Sequence, residues 1–432
     1  MTKYNRREFI KQTAAVSTFF IVPRHVLGRG YLAPSDMIQM GFIGTGKQSE
    51  TLLNRFVETK NARIIGIADP HQQKIKRFID WHNVSFAKSN PGVSPNEIKV
   101  YDDYMDMLSQ KDIDAVAIIT PDHWHAPMAI QAARHGKDIY GEKPLSLTVR
   151  EGRAMVKAVR KYNRVFQTGS MQRSWPNFRK ACELVRNGYL GKIKEVLVNV
   201  DGPPSKIDFE AEPTPDYINW TQWLGPNDPH FYHHFLAPRL EDNFWAKWRY
   251  YKPFGGGGLT DWGVHVFDIV QWALGMDGSG PTQVSPPGLQ VNTLALRGLE
   301  YTYKNGIVVK HQNYEKTNGA KFIGTEGEMY ISRQEFLVPD KLKDLVLKPG
   351  DIHLPAPENH YMDFINSMRT RKKPIADIEI GHSSATVCNI GVIAYQLGRE
   401  LHWNPKKEKF KKDKEANALL TRPHWEKFAG LA

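Results

Sequence analysis

Short apolar runs alternate with amphipathic stretches along the first part of the chain. The apolar runs cover 37–43, 62–68, 114–120, 138–140 and 165–168, and helix-like stretches cover 50–60, 126–136 and 149–161. Short runs that are mostly apolar are typical of strands buried on both faces. Their alternation with helices predicts an α/β fold with a doubly wound parallel sheet, whose ligands bind at the carboxyl ends of the strands. The segment 121–125 is expected to be a loop.

The second part of the chain has a different pattern. Residues 287–331 alternate apolar and polar positions between turn signals, as antiparallel strands do. Residues 360–369 and 382–397 have the pattern of helices that would cover such a sheet. The sequence after them is highly charged. We therefore expect a first domain over 31–168, a second domain over 169–400 and a C-terminal tail over 401–432.

A glycine-rich turn follows the first predicted strand. The turn 44–47 has the sequence Gly-Thr-Gly-Lys, and Asp69 closes the next strand. Glycines permit a tight turn and the close approach of a pyrophosphate to the helix N-terminus, while the acid accepts hydrogen bonds from ribose hydroxyls. This unit predicts a dinucleotide site that favours NAD over NADP, since Asp69 would repel a 2′-phosphate. The alternative is that Asp69 only forms a turn or a helix cap before Pro70.

Lys143 is the first candidate for proton transfer. It follows a predicted strand, which places it at the ligand-binding edge of the sheet. It precedes Pro144, so its backbone is restricted toward extended conformations and the peptide bond between them is able to be cis. Near a cationic nicotinamide ring a lysine would lose its proton more easily and could then accept one from a hydroxyl. The alternative is a surface lysine in a loop.

Asp261 and His265 form the second candidate group. They follow a glycine run at 255–258, and Thr260 is the expected N-cap of the helix that begins there. Residues four apart share one helical face, so the carboxylate would orient the imidazole and raise its basicity. A purely structural hydrogen-bonded pair is the main alternative. A metal site is not expected, because no third and fourth ligands follow the same pattern.

Composition and charge exclude some classes of function. The net charge is +12, but the basic residues are scattered apart from two runs, at 369–373 and 406–414. Neither run is interleaved with aromatic residues or embedded in a nucleic-acid motif, so we expect no nucleic-acid partner.

The two cysteines, Cys182 and Cys388, could form one disulfide, and buried free thiols are the preferred interpretation.

The first thirty residues have the layout of a twin-arginine signal peptide. Arg6 and Arg7 precede an apolar run at 13–22, and Pro23 and Gly28 follow it. The run is too short for a stable membrane anchor. We expect export to the periplasm and place residues 1–30 outside the fold. The alternative is an ordinary amphipathic N-terminal helix.

These motifs in combination resemble the glucose–fructose oxidoreductase / inositol dehydrogenase (Gfo/Idh/MocA) family over residues 37–400. The matching motifs are Gly44-Thr-Gly46, Thr120-Pro-Asp-His-Trp-His125, Glu142-Lys-Pro144, Gln167-Thr-Gly169 and Asp261-x-x-x-His265. The resemblance implies an N-terminal Rossmann domain and a C-terminal α/β domain with a large, mostly antiparallel open sheet. In the family that sheet often mediates homodimers or homotetramers. Lys143 would lie beside the nicotinamide, with Asp261 and His265 facing it.

The resemblance also implies a set of binding residues. The expected contacts to the cofactor are Gly44, Thr45, Gly46, Lys47, Asp69, Thr120, Pro121, His123, His125, Glu142, Lys143 and Gln172. The expected contacts to the substrate are Arg173, Trp175, Trp248 and Trp262.

One segment departs from the compact members of the family. Residues 201–254 are an insertion rich in Trp, Tyr, His and Pro. Most of the aromatic side chains are expected to pack in the protein interior or against loops, and one or two to line the substrate cleft.

The sequence as a whole predicts an oxidoreductase that moves a hydride between a tightly bound nicotinamide cofactor and the hydroxyl of a carbohydrate. The rival hypotheses are a glycosidase that oxidises its substrate transiently and a sugar-binding protein without catalytic activity.

Overall fold

The computed structural model describes residues 36–288, 295–314, 316 and 318–431. The expected signal peptide, residues 1–30, lies outside the described residues. Over residues 38–431 the chain contains two β-sheets of six and nine strands, each covered by helices. None of the described helices is both long and apolar enough to cross a membrane.

The first sheet is a parallel, doubly wound sheet. Its strands are β1 Ile38–Ile43, β2 Ala62–Ala68, β3 Lys99–Tyr101, β4 Ala115–Ile118, β5 Asp138–Gly141 and β6 Phe166–Thr168. The helices between them are α1 Lys47–Glu58, α2 Gln72–Ser89, α3 Tyr104–Leu108, α4 Asp122–Arg134 and α5 Val149–Lys161. The strand order β3-β2-β1-β4-β5-β6 reverses direction between β1 and β4. A ligand is therefore expected at the carboxyl ends of these two strands.

Helix α4 corrects the expectation of a loop at 121–125, because it begins at Asp122. Pro127 lies inside this helix and has no N–H to donate to the carbonyl oxygen of His123. That oxygen instead accepts a hydrogen bond from Arg422 Nη2 at 2.7 Å. The helix tolerates its proline because a side chain from the far end of the sequence satisfies the carbonyl group that the proline leaves free.

The second sheet is mixed and mostly antiparallel. Its strands are β7 Ile193–Asn199, β8 Gln283–Ser285, β9 Leu299–Thr302, β10 Val308–His311, β11 Gly319–Gly324, β12 Glu328–Ser332, β13 Phe336–Leu337, β14 Leu401–Asn404 and β15 Lys409–Phe410. They lie in the order β13-β12-β11-β7-β10-β9-β8-β14-β15, and β7 with β10 is the parallel pair. Both sheets agree with the predicted fold class.

Nine α-helices follow β6 among the described residues. They are α6 Pro176–Arg186, α7 Trp220–Leu224, α8 Gly258–Asp261, α9 Gly263–Ala273, α10 Asp340–Lys343, α11 His360–Thr370, α12 Ile378–Leu397, α13 Lys414–Ala418 and α14 Trp425–Phe428. Every residue of α9 is buried, which explains why most of its residues are apolar; its polar side chains are His265, Asp268 and Gln271. Cys182 and Cys388 are both buried and free, as the sequence indicated.

After β13 the chain returns to the first sheet before it adds the last two strands of the second one. Tyr361 and Phe364 of α11 pack against Phe56 of α1, with ring centroids 5.3 and 6.3 Å apart. Tyr361 also stacks on Tyr140 of β5 at 5.8 Å. The core of the nucleotide-binding half therefore includes residues far outside the expected span of 31–168.

The segment after residue 400 is not a tail, contrary to expectation. β14 and β15 extend the second sheet, and Trp425 is buried in the core of the first half. Arg422 forms an ion pair at 2.7 Å with Glu151, whose side chain is 1% exposed. The prediction of a tail was wrong because it rested on the high charge of this segment. Several of these charged groups are paired with partners elsewhere in the chain.

Candidate active site

A cavity of about 530 Å³ opens at the carboxyl edge of the first sheet. It is lined by the loops that follow β1, β2, β4 and β5, by the insertion, and by residues from α8, α9 and the end of β12. Twelve of the residues singled out in the sequence line it: Gly44, Gly46, Lys47, Asp69, Thr120, Pro121, Glu142, Lys143, Trp248, Asp261, Trp262 and His265.

The glycine turn after β1 has the geometry of a phosphate cradle. Gly44 has a φ of +95°, and a Cβ atom there would lie 2.4 Å from the carbonyl oxygen of Ile119. A Cβ at Gly46 would meet nothing within 4 Å, so open space faces the turn. No side chain caps the N-terminus of α1. Its first N–H groups are thus available to a pyrophosphate, and the turn fits a dinucleotide.

Asp69 has a structural role besides any contact to ribose. Its Oδ2 accepts a hydrogen bond from the Thr45 N–H at 2.6 Å, and its Oδ1 accepts one from the His71 N–H at 2.8 Å. Two cations, Lys74 and Arg77, line the cavity beside it, and burial lowers the pKa of Lys74 to about 8. Asp69 therefore does stabilise the turn, as the alternative interpretation proposed. The two nearby cations also make this wall of the cavity less negative than the sequence suggested.

Lys143 and Asp261 form an ion pair within the cavity. Lys143 Nζ donates to Asp261 Oδ1 at 2.7 Å and to the Asp261 carbonyl oxygen at 2.8 Å. Arg249 Nε lies 3.5 Å from the second carboxylate oxygen. Burial alone would raise the pKa of Asp261, but Lys143 and Arg249 hold it below its ordinary value. The carboxylate is thus shared between two cations, one from each half of the chain.

The expected pairing of Asp261 with His265 is wrong. Asp261 ends α8 and His265 belongs to α9, so the two residues do not lie on one continuous helix. The carboxylate binds Lys143 and Arg249 instead. Thr260 is also not an N-cap, because it lies inside α8, whose N-cap is Gly257 with a φ of +76°.

His265 and two carboxyl groups complete the electrostatics of the site. Burial lowers the pKa of His265 well below 6.5, and the positive charges of Lys143 and Arg333 lower it further. Burial and the nearby Asp261 raise the pKa of Asp122 well above its ordinary value. Burial also raises the pKa of Glu142, which accepts a hydrogen bond from Gln48 Nε2 at 3.2 Å. At neutral pH the imidazole is therefore uncharged.

Six predicted binding residues do not line the cavity: Thr45, His123, His125, Gln172, Arg173 and Trp175. His125 is buried and bonded to the carbonyl oxygens of Pro144 and Thr120 at 2.8 and 3.0 Å. Arg173 is 1% exposed and is paired with Asp268 and Asp277, so no substrate can reach it. Gln172 is 2% exposed. These residues support the walls of the site.

Sequence reasoning missed several residues of the cavity. Arg249 comes from the insertion and Arg333 follows β12, and both line the cavity. Asp122 is buried and does not line the cavity, but it interacts electrostatically with Lys143 and Asp261. Asp122 lies inside the matched motif Thr120-Pro-Asp-His-Trp-His125 and could have been noticed from the sequence. Nothing in the local sequence marks the two arginines, because each reaches the site through the tertiary fold.

The insertion covers the edge of the sheet that carries the cavity. It has its own small core, which includes Trp223, Leu236 and Phe254. On one side the Tyr217 carbonyl oxygen accepts from the Gln72 N–H at 2.9 Å. On the other side the Trp223 carbonyl oxygen accepts from Trp124 Nε1 at 3.0 Å. The insertion thus bridges the first turns of α2 and α4, the helices that follow the strands on either side of β1.

One group among the described residues has the composition of a metal site. The ligand atoms of Glu212, His233 and His234 lie within 4.8 Å of one another. His234 Nδ1 already contacts Glu212 Oε1 at 2.7 Å, and His233 Nδ1 accepts from the Phe235 N–H at 3.0 Å. That bond leaves the proton of a neutral His233 on Nε2, the atom a metal would need. The group is accounted for as a hydrogen-bonded cluster of the insertion.

Comparison with known proteins agrees with this geometry. Residues 38–170 match the family model for the NAD-binding Rossmann fold of the Gfo/Idh/MocA oxidoreductases. Residues 199–429 match the model for the C-terminal alpha/beta domain of the same family. The chain belongs to the Gfo/Idh/MocA oxidoreductase family. The resemblance seen in the sequence is confirmed.

Individual relatives are more distant. An uncharacterized oxidoreductase, YrbE, of Bacillus subtilis is 24% identical over 327 residues, which cover 71% of this chain and 80% of that protein. A glycosyl hydrolase family 109 protein of Shewanella baltica is 33% identical over 169 residues, which cover 35% of this chain and only 36% of that protein. The WlbA dehydrogenase of Bordetella pertussis, solved with NADH and UDP-GlcNAcA, superposes with a TM-score of 0.58 at 17% identity over 85% of this chain and 99% of that chain. This last likeness shows the fold alone.

Proposed function

We propose that this protein is an exported oxidoreductase that transfers a hydride between a tightly held nicotinamide cofactor and a hydroxyl of a sugar, glycoside or polyol. The observation that carries the proposal is the Lys143–Asp261 ion pair, which shares one cavity with His265 and the glycine turn 44–47. Proton-transfer groups beside a dinucleotide cradle are what oxidation of an alcohol requires. Sugar chemistry is supported by the UDP-GlcNAcA bound to the WlbA neighbour and by the glycosyl hydrolase family of the Shewanella relative.

The division of labour follows from the contacts. The nicotinamide, when bound, supplies the redox chemistry by exchanging a hydride with the substrate carbon. Lys143 donates two of its three ammonium N–H groups to Asp261, which leaves the third to donate to the substrate oxygen. His265 is uncharged and able to accept a proton from the hydroxyl. Asp261 is a positioning residue for Lys143, whereas the sequence had assigned it to His265.

We propose NAD rather than NADP as the cofactor. The Asp69 carboxylate next to the cradle disfavours a 2′-phosphate. Lys74 and Arg77 oppose that effect, because they add positive charge to the same wall of the cavity. Nucleotide released from the purified protein therefore decides the point, and a 2′-phosphorylated nucleotide would contradict the proposal.

The cofactor stays bound between turnovers in this proposal. The insertion bridges the first turns of α2 and α4, and Lys47 Nζ donates to Asn243 of the insertion at 3.4 Å. Release of the dinucleotide would require these contacts to open. Retention suits an enzyme that works outside the cytoplasm, where the twin-arginine motif would deliver it already folded. A homodimer or homotetramer is proposed from the family resemblance and is tested by light scattering.

The proposal is tested on protein purified from the exported fraction. The protein is denatured and the released nucleotide identified by mass, and candidate sugars are then added to native protein while the near-ultraviolet absorbance of reduced nicotinamide is followed. Lys143→Ala and His265→Ala should each abolish most turnover and keep the nucleotide. Lys343→Ala and His402→Ala are matched controls, since both side chains are more than half exposed. Near-normal turnover in both cavity variants would refute the assignment.

A second function is supported by one observation. The match to a glycosyl hydrolase family 109 protein favours a redox-neutral glycosidase, in which the sugar is oxidised, the aglycone eliminated and the hydride returned. A chromogenic glycoside distinguishes the two activities. Release of the chromophore without net reduction of the cofactor supports the glycosidase, and reduction without release supports the dehydrogenase.

A further inference from the structure

Arg333 is a cation in the cavity without an ion-pair partner among the described residues. It follows strand β12, and its guanidinium stacks on the Trp262 ring with 4.6 Å between the guanidinium carbon and the ring centroid. Trp175 lies at 5.6 Å. The Nε atom is enclosed by the protein and has no hydrogen-bond partner. Burial lowers the pKa of Arg333, although Glu142 and Asp261 oppose this from a distance.

The neighbouring acids are already engaged. Asp261 is bound by Lys143 and lies 3.5 Å from Arg249. Glu142 accepts hydrogen bonds from Gln48 Nε2 and from the Lys143 N–H. A guanidinium that is largely removed from water and not bonded to a carboxylate is unfavourable unless a ligand pairs with it. Arg249 does not need such a ligand, because it already has Asp261 as an ion-pair partner.

The surroundings of Arg333 prepare it for such a ligand. The Trp262 ring covers one side of the guanidinium, and its planar fork matches the two oxygens of a carboxylate. Trp262 also lines the cavity, between Asp261 and the helix that carries His265. The fork therefore faces the space that is shared with the proton-transfer groups.

We propose that the substrate is a sugar acid, such as a uronic acid or a uronoside, whose carboxylate is recognised by Arg333. The proposal rests on the proposed function, because it names the class of sugar that the same site oxidises. Arg333 acts as a specificity residue. It pairs with the carboxylate, while Lys143 and His265 contact the reacting hydroxyl. Neutral sugars of the same size would bind more weakly, since they leave this half-buried cation unpaired.

The test compares 4-nitrophenyl β-glucuronide with 4-nitrophenyl β-glucoside, and free glucuronate with glucose, on the intact cofactor-loaded protein. The uronates should be the better substrates. Arg333→Gln should lower kcat/KM for a uronate by about 10- to 100-fold, mainly through KM, and change the value for the neutral sugar by no more than about twofold. Arg333→Lys, which keeps the charge, should restore part of the preference. Lys321→Gln removes one cation from the neighbouring strand, outside the cavity, and should change neither value.

Other outcomes overturn the inference in distinguishable ways. Equal losses on both sugars would assign Arg333 a structural role. Loss of bound nucleotide from Arg333→Gln would assign it to the cofactor. Wild-type protein that oxidises glucose as well as glucuronate would refute the sugar-acid inference and leave the proposed function standing. If wild-type protein holds the nucleotide but none of the sugars tested reduces it, both the sugar-acid inference and the proposed function are refuted.

Discussion

Replacing Asp261 with asparagine removes the negative charge at the centre of the site but keeps nearly the same side-chain shape. The carboxylate oxygens lie 2.7 Å from Lys143 Nζ and 3.5 Å from Arg249 Nε. The side chains of the two cations are only 17% and 13% exposed. The amide of asparagine has nearly the same size and still offers one oxygen acceptor. The Asp261 carbonyl oxygen, which accepts from Lys143 at 2.8 Å, is unaffected by the change.

The magnitude follows from these contacts. A hydrogen bond between charged groups contributes about 1.5–3 kcal/mol, and a neutral one about 1 kcal/mol. Asp261→Asn should therefore lower the free energy of unfolding by about 1–2 kcal/mol. For a chain of this length that corresponds to a Tm decrease of about 1–2 °C. Turnover should fall much more, by about 100-fold or beyond, because Lys143 is no longer held against the substrate oxygen.

The stability effect has a defined pH dependence. The pKa of Asp261 is lower in the folded protein than its ordinary 3.8, since Lys143 and Arg249 outweigh burial. A depressed folded pKa gives stability that is present above the unfolded pKa and is lost as the pH falls through the folded one. The Tm difference between wild type and Asp261→Asn should thus be constant above about pH 5 and shrink toward zero in stronger acid.

The assay measures Tm, turnover and nucleotide content together, with Asp344→Asn as the control at an exposed position. Nucleotide content should be unchanged in both variants, because neither residue touches the glycine turn. Unchanged turnover in Asp261→Asn would refute the positioning role. A Tm difference that grows as the pH falls would refute the electrostatic reasoning.

Three further predictions concern the rest of the molecule. Gly44→Ala places a Cβ against a backbone oxygen at a φ of +95°, so it should cost about 1–3 kcal/mol and release the nucleotide; full nucleotide content would contradict this. Arg422→Ala leaves the buried Glu151 unpaired and should cost about 3–5 kcal/mol, seen as a lower Tm; an unchanged Tm would contradict the importance of the pair. Replacing Arg6 and Arg7 with lysine should keep the protein in the cytoplasm, which cell fractionation checks.

The first sheet could be predicted because its local and tertiary signals agree. Buried parallel strands need apolar residues on both faces, so runs such as 62–68 and 114–120 are visible without knowledge of the partners. The glycine turn and the acid after the next strand are also local features. For the same reason Lys143 could be placed at the ligand edge from its position after β5 alone.

The pairing inside the site could not be predicted from spacing. The four-residue interval between Asp261 and His265 implies a shared face only on a continuous helix, and the helix is interrupted at Trp262. The true partner of Asp261 lies 118 residues away in the sequence. Arg333 directly follows a strand of the other sheet. Such contacts depend on the packing of two sheets and leave no periodic signal in the chain.

His123 illustrates how a matched motif can serve the site without touching it. Its ring Nε2 is 3.0 Å from the Trp223 carbonyl oxygen of the insertion, and its own carbonyl oxygen accepts from Arg422 near the C-terminus. Burial lowers its pKa to about 3, so the ring is neutral and donates this bond. The start of α4, which carries Pro121 into the cavity, is therefore fixed by two segments that are distant in sequence. The cofactor-side wall of the site is consequently a product of the whole fold, and a variant far from the cavity can alter it.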